Sequence, residues 1–187
     1  MQKNIGTALA LYPTPIVVVG TMVDGKANYC LVGHVGIIGH DRIMLSLSDR
    51  HYTNQGIRQT NVLSVSIVSE AMLEKADYVG TVSGSKTDKS TVFAYRTGET
   101  GAPILEQAPV VMECQVADVY KTDGFENFIC TIVAVHAQEA VLNKNGKINY
   151  DALKPVLFEM PTYQYLLTGK ILGNCMRMHK QADGTAE

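Results

Sequence analysis

A chain of 187 residues with 46% hydrophobic and 18% charged side chains has the make-up of a soluble globular protein, which excludes a disordered or collagenous one. At that length one domain over residues 1–187 buries roughly 70% of the surface its unfolded form exposes. A formal net charge of −2 argues against general nucleic-acid binding, which needs a basic surface, and leaves room only for a local basic pocket.

The N-terminal MQKNIGTALALYPTP has too short an apolar run for a secretory signal, and no stretch approaches a membrane span. "PIVVVGTM" (15–22) is apolar throughout and rich in β-branched residues, as a strand buried on both faces should be. Asp24-Gly25 is the pair a type I′ hairpin prefers, because both positions need positive φ. "KANYCLVGHVG" (26–36) then reads as the return strand, and "RIMLSLS" (42–48) as a third. "YTNQGIRQT" predicts a short helix capped by Thr53 or a neighbour and weakened by Gly56.

"NVLSVSIVS" (61–69) alternates again, and Ser69 is placed to cap a helix through "EAMLEKADYV". Residues 80–90, "GTVSGSKTDKS", form a polar loop. Two long runs, "APVVMECQVADVY" and "ENFICTIVAVHAQEAVL", flank a second Asp-Gly turn and predict another hairpin. "NKNGK" (143–147) is a tight turn, and about 181–187 a frayed tail. Short strands with turn signals, plus two or three helices, predict a mainly β fold with helical decoration, of the β-barrel type.

Several chemistries find no support. Gly20 to Ala27 copies the P-loop pattern except at its last position, where Ala27 lacks the magnesium-binding hydroxyl, and the glycine lies in a hairpin with no helix following. "GHVGIIG" is not a Rossmann fingerprint. His34, His40, His51, His136 and His179 form no metal-binding helical pair, and no serine or cysteine carries a nucleophile-elbow sequence. Cys30, Cys114, Cys130 and Cys175 have neither C-x-x-C nor zinc spacing and read as reduced thiols, so the expectation is a cytoplasmic protein.

Three polar constellations are left. Ser46, Ser48, Arg50, His51, Tyr52 and Thr53 crowd donors and a positive charge where a strand meets a helix. Free amides, the helix dipole and a guanidinium suit a phosphate there, and a solvated turn with a capping threonine explains the same residues. The stretch by itself leaves both open. Lys86 and Lys89 sit in a loop able to close over the same anion or simply to move in solvent. Tyr163 and Tyr165 suit ligand stacking or ordinary packing.

Taken in order, "YPTPIVVVGTMVDGKANYCLVGHVG", "MLSLSDRHYTNQGI", "VSIVSEAMLEKADYVGTVSGSKTDK" and "VMECQVADVY" resemble the flavin reductase-like family, its flavoredoxin-like members in particular, over about residues 8–175. The resemblance implies an FMN-binding split β-barrel, usually a homodimer with the flavin at its interface. By position it implies that Asn28 lines the isoalloxazine ring, that Ser46, Ser48, Arg50 and Thr53 hold the phosphate, that Lys89 points at the flavin or its phosphate, and that Tyr165 approaches the ring. The family often has Trp where this chain has His34, which is then expected to face the ring and modulate it, and a histidine where it has Phe125.

The implied activity is hydride transfer from NAD(P)H to flavin N5, with electrons passed to an acceptor and no catalytic acid–base pair needed. The alternatives are an FMN electron carrier reduced by a redox protein partner, and a flavin-binding or empty barrel with a sensing or storage role.

Overall fold

The continuous apolar run becomes β2 (Val17–Val23), buried along nearly its whole length because it is covered on both faces. Asp24 (φ 49°) and Gly25 (φ 80°) turn the chain into β3 (Lys26–Val32), and the expected hairpin forms. The structure is a computed structural model that describes residues 1–176 and 178. The tail expected at about 181–187, and His179, lie outside the described residues.

The return strand expected over 26–36 breaks in two. β3 stops at Val32, and after Gly33 and His34 the chain continues as β4 (Val35–Ile37). A seven-stranded sheet runs β3-β2-β6-β9-β10-β5-β4. Its other members are β5 (Arg42–Ser48), β6 (Val62–Ile67), β9 (Val110–Thr122) and β10 (Phe125–Ala137). Thus β3 and β4 lie at opposite edges although only Gly33 and His34 join them.

Three Cα steps reach at most ~11 Å, whereas the edges of a flat sheet this wide would stand roughly 29 Å apart. The sheet must curl until its edges meet. The Ser46 amide donating to the His34 carbonyl (2.9 Å) extends the β4–β5 pairing to a residue just past β3, which holds the two ends together. No ladder joins β3 to β5 among the described residues, so the barrel is split rather than closed.

Alternation then sorts side chains into two cores. Val17, Val19, Leu45, Leu47, Leu63, Val65 and Phe128 fill the interior. Val18, Tyr29, Met72, Ala76, Val79 and Phe93 pack on the outer face. α1 (Thr53–Thr60) adds Ile57 to the interior cluster. Its N-cap is Tyr52 and no side chain caps it, because the Thr53 hydroxyl is spent on Asn28 instead.

The second helix begins as a 3₁₀ turn, Glu70–Met72, before α2 (Leu73–Thr81). Ser69 stands at the N-cap without a side-chain cap bond; its carbonyl closes the turn by accepting from the Met72 amide (3.1 Å).

Two small sheets lie outside the main one. β1 (Thr14–Pro15), β11 (Leu157–Glu159) and β12 (Gln164–Leu166) form one, and β7 (Tyr95–Thr97) pairs with β8 (Pro103–Leu105) in the other. The second Asp-Gly turn does join β9 to β10, and there Gly124 takes the positive φ (73°). With one further short helix, α3 (Tyr150–Leu153), the molecule is mainly β with helical decoration.

Candidate functional site: two clefts along one strand

Two clefts open along β3. The larger, about 340 Å³, is lined by Ala27 and Asn28 of that strand, by Tyr52, and by residues 84–89 of the polar loop. The smaller, about 200 Å³, is lined by Leu31, Val32, Gly33 and His34, by Ser46, Ser48 and His51, and by Phe125, Phe158 and Met160. Asn28 and Leu31 are about 10 Å apart along a strand, so the clefts follow one another. The turn between β5 and α1 forms the ridge, with His51 facing the smaller cleft and Tyr52 the larger.

Donors in the smaller cleft come from strand alternation. Leu45 and Leu47 point into the barrel, which turns Ser46 and Ser48 outward. Arg50 follows in the exposed turn, its amide 3.5 Å from the Ser48 hydroxyl, and its guanidinium has no ion-pair partner among the described residues. His34 Nε2 lies 3.3 Å from the Tyr12 hydroxyl. Its ring also stands 5.9 Å from that of Phe125, so the two positions that depart from the resembled pattern touch each other.

At the larger cleft, Asn28 Nδ2 donates to the Thr53 hydroxyl (2.8 Å) and Thr53 is only 2% exposed. Lys89 is 4% exposed, and its ammonium donates to the carbonyls of Tyr29 and Val79, each at 2.8 Å. An ammonium carries three donors, which leaves one for a ligand. Burial pushes the Lys89 amine down from its ordinary range. The polar loop is held close: a Cβ on Gly84 would lie 2.1 Å from Asn28 Oδ1 and 2.6 Å from Tyr52 Cδ1.

The structure therefore brings Asn28, Thr53 and Lys89 together at one end, and His34, Ser46 and Ser48 at the other, with Arg50 in the turn between. Tyr165 stands apart. Its hydroxyl donates to Asp77 of α2 (2.5 Å), its ring packs on Phe158 at 5.9 Å, and it lines neither cleft. Lys86 lines the larger cleft, and Tyr163 is exposed.

A model of the family described as flavin reductase like domain matches residues 9–163. The chain belongs to that family. Flavoredoxin from Methanosarcina acetivorans superposes with a TM-score of 0.92 at 29% identity, covering 97% of this chain and 99% of that one. Flavoredoxin of Desulfovibrio vulgaris (Miyazaki F) gives 0.89 at 28% identity, covering 96% and 100%. An FMN-binding protein from Thermus thermophilus with bound 1-cyclohex-2-enone gives 0.78 at 22% identity, covering 93% and 97%, and that likeness speaks for the shared fold alone. A search of curated protein sequences gave no match.

Within this family fold, Gly84, Phe158 and Met160 line the clefts and Cys30 stands behind the His51 ring, and sequence reasoning passed over all four. Cys30 had a signal: two residues beyond Asn28 on the same strand, it shares that side chain's face. Phe158 and Met160 had none, since they arrive more than a hundred residues later through the small sheet.

Proposed function

We propose that this protein is an FMN-binding oxidoreductase of the flavin reductase type, taking hydride from NAD(P)H and passing electrons to an acceptor. What carries the reading is the line of two clefts along β3 in a chain of this family. FMN is elongated, with an anionic phosphate at one end and a ring edged by carbonyls and ring nitrogens at the other. Ser46, Ser48 and Arg50 suit the phosphate, and the Asn28 amide with the remaining Lys89 donor suits the ring edge.

Thr53 acts through Asn28, which it orients. His34 is proposed to modulate the smaller cleft; a flavin spectrum and reduction rate unchanged in His34→Ala would remove that role. For Tyr165 we keep only an indirect part, through Phe158.

When bound, the flavin supplies the redox chemistry. The chain's residues bind and orient it, and none needs to serve as acid or base. The test is to purify the protein, add FMN, and follow the yellow absorbance while NADH or NADPH is added anaerobically. Rapid bleaching supports the proposal.

A second reading, an FMN electron carrier reduced by a protein donor, is favoured by the near-complete superposition on two flavoredoxins. A flavoprotein that stays yellow with both pyridine nucleotides would select it, and failure to bind FMN would reject both.

We also propose one domain over residues 1–187 and a homodimer in the cytoplasm. The free thiols of Cys30, Cys114, Cys130 and Cys175 suit a reducing compartment. No helix among the described residues is long and apolar enough to cross a membrane.

A further inference from the structure

His51 lies in the smaller cleft beside Ser46 and Ser48; the sequence grouped it with the donors of that turn, and the family resemblance carries no role over to it. Its main chain is fixed at both ends: the amide donates to the Ser48 carbonyl (3.0 Å), and its carbonyl accepts from the Asn54 amide (3.1 Å). Behind the ring, Nδ1 stands 3.4 Å from Cys30 Sγ, on a strand residue only 7% exposed. The other ring nitrogen, Nε2, has no partner among the described residues.

We infer that His51 is a ligand-binding residue of this cleft, presenting its Nε2–H to a phosphate oxygen in the tautomer that the Cys30 thiol holds. The inference rests on the reading that a flavin phosphate occupies the cleft. An imidazole lone pair is a better acceptor than a thiol sulfur, so of the two possible polarities S–H to Nδ1 is the stronger. Cys30 also lies 3.6 Å from the Leu31 carbonyl, a weaker competitor made by the adjacent residue.

Burial pushes the Cys30 thiol up, so it has a proton to give. With Nδ1 accepting, a neutral ring must carry its proton on Nε2. Burial first, and then the Lys89 ammonium, push the His51 ring down, which keeps it uncharged at neutral pH.

The cleft then offers two hydroxyls and one neutral N–H, with the charge supplied by Arg50 in the exposed turn. This division has a physical logic. A neutral donor costs less than an ion to leave without a partner when the ligand departs, so it can sit deeper in the wall.

Two measurements on the full chain test it. In protein labelled with ¹⁵N-histidine, the His51 resonances of the wild type should report an unprotonated Nδ1 and a protonated Nε2, and Cys30→Ala should give a mixture of tautomers. In flavin titrations, His51→Leu should weaken FMN about tenfold and leave riboflavin within about twofold. His51→Gln, which keeps an N–H donor, should recover most of the loss. Retained riboflavin affinity also shows that the variant is folded.

A wild-type Nδ1–H tautomer, or FMN binding untouched by His51→Leu, overturns the inference. If Arg50→Ala still selectively weakens FMN in that case, the phosphate reading stands while this part of it falls. Wild-type protein that binds FMN and riboflavin equally overturns both.

Discussion

Single positions in this protein are decided by how closely other atoms approach them. Gly84 is one: because a Cβ there would meet Asn28 Oδ1 and Tyr52, the polar loop must lift to accept Gly84→Ala. The expected result is weaker flavin binding at nearly unchanged thermal stability, read by fluorescence titration beside a melting curve. Glu113 is another, a carboxylate with no exposed surface that accepts from the Thr100 amide (2.9 Å), the Thr100 hydroxyl (2.7 Å) and His136 Nε2 (2.5 Å).

Burial alone would push the Glu113 carboxyl up, but these donors together outweigh it and hold it at about 2, against an ordinary value of 4.5. A depressed carboxyl stabilises the fold above its unfolded value and loses that contribution as pH falls through the folded one. Glu113 therefore contributes fully above about pH 4.5, and the contribution disappears towards pH 2. Unfolding followed across that window should show the decline. Glu113→Gln should lose roughly 2–4 kcal/mol at pH 7 and flatten the pH dependence.

At the level of elements, the turn that carries Arg50 and His51 is braced from below. Asn54, the second residue of α1, donates from Nδ2 to the Ser48 carbonyl (3.0 Å) and to Glu126 of β10 (2.8 Å), and Arg58 of the same helix pairs with Glu126. A buried acid on one strand thus ties the helix start to the end of another strand. Glu126→Ala would strand Asn54 and loosen the turn. It should cost roughly 1–3 kcal/mol of stability and weaken FMN more than riboflavin, measured by denaturant unfolding and paired flavin titrations. Gly56 is the contact point of the same helix with β2, where a Cβ would lie 2.5 Å from the Met22 carbonyl oxygen. The glycine weakens the helix in isolation and admits it to the barrel. Gly56→Ala should destabilise by about 1–3 kcal/mol despite the better helix propensity, visible as a lowered melting temperature.

Across the whole molecule, apolar surface is left on two arms that leave the same small sheet. Ile5, Leu9 and Leu11 precede β1, and Leu167, Ile171 and Leu172 follow β12, all exposed. Exposed apolar surface of this kind marks an interaction site, and the homodimer proposed from the family resemblance would cover it. Light scattering should give about twice the 20.4 kDa chain mass, and a monomer with flavin bound would count against it.

Local pattern alone determined much of this protein. Period-two alternation placed Ser46 and Ser48 opposite Leu45 and Leu47, an all-apolar run announced the doubly covered β2, and two Asp-Gly pairs placed two hairpins. The ordered set of segments pointed to the family that the matched residues bear out. These signals were legible because each depends on neighbours within a few residues.

The break at Gly33-His34, the spending of Thr53 on Asn28, the anchoring of Tyr165 on Asp77 and the pairing of His51 with Cys30 were not legible. Each depends on which strand lies across the seam or which helix lies above it. A side chain's type states which bonds it can make. Only the curled sheet, by bringing its two edges together, decided which partner was within reach.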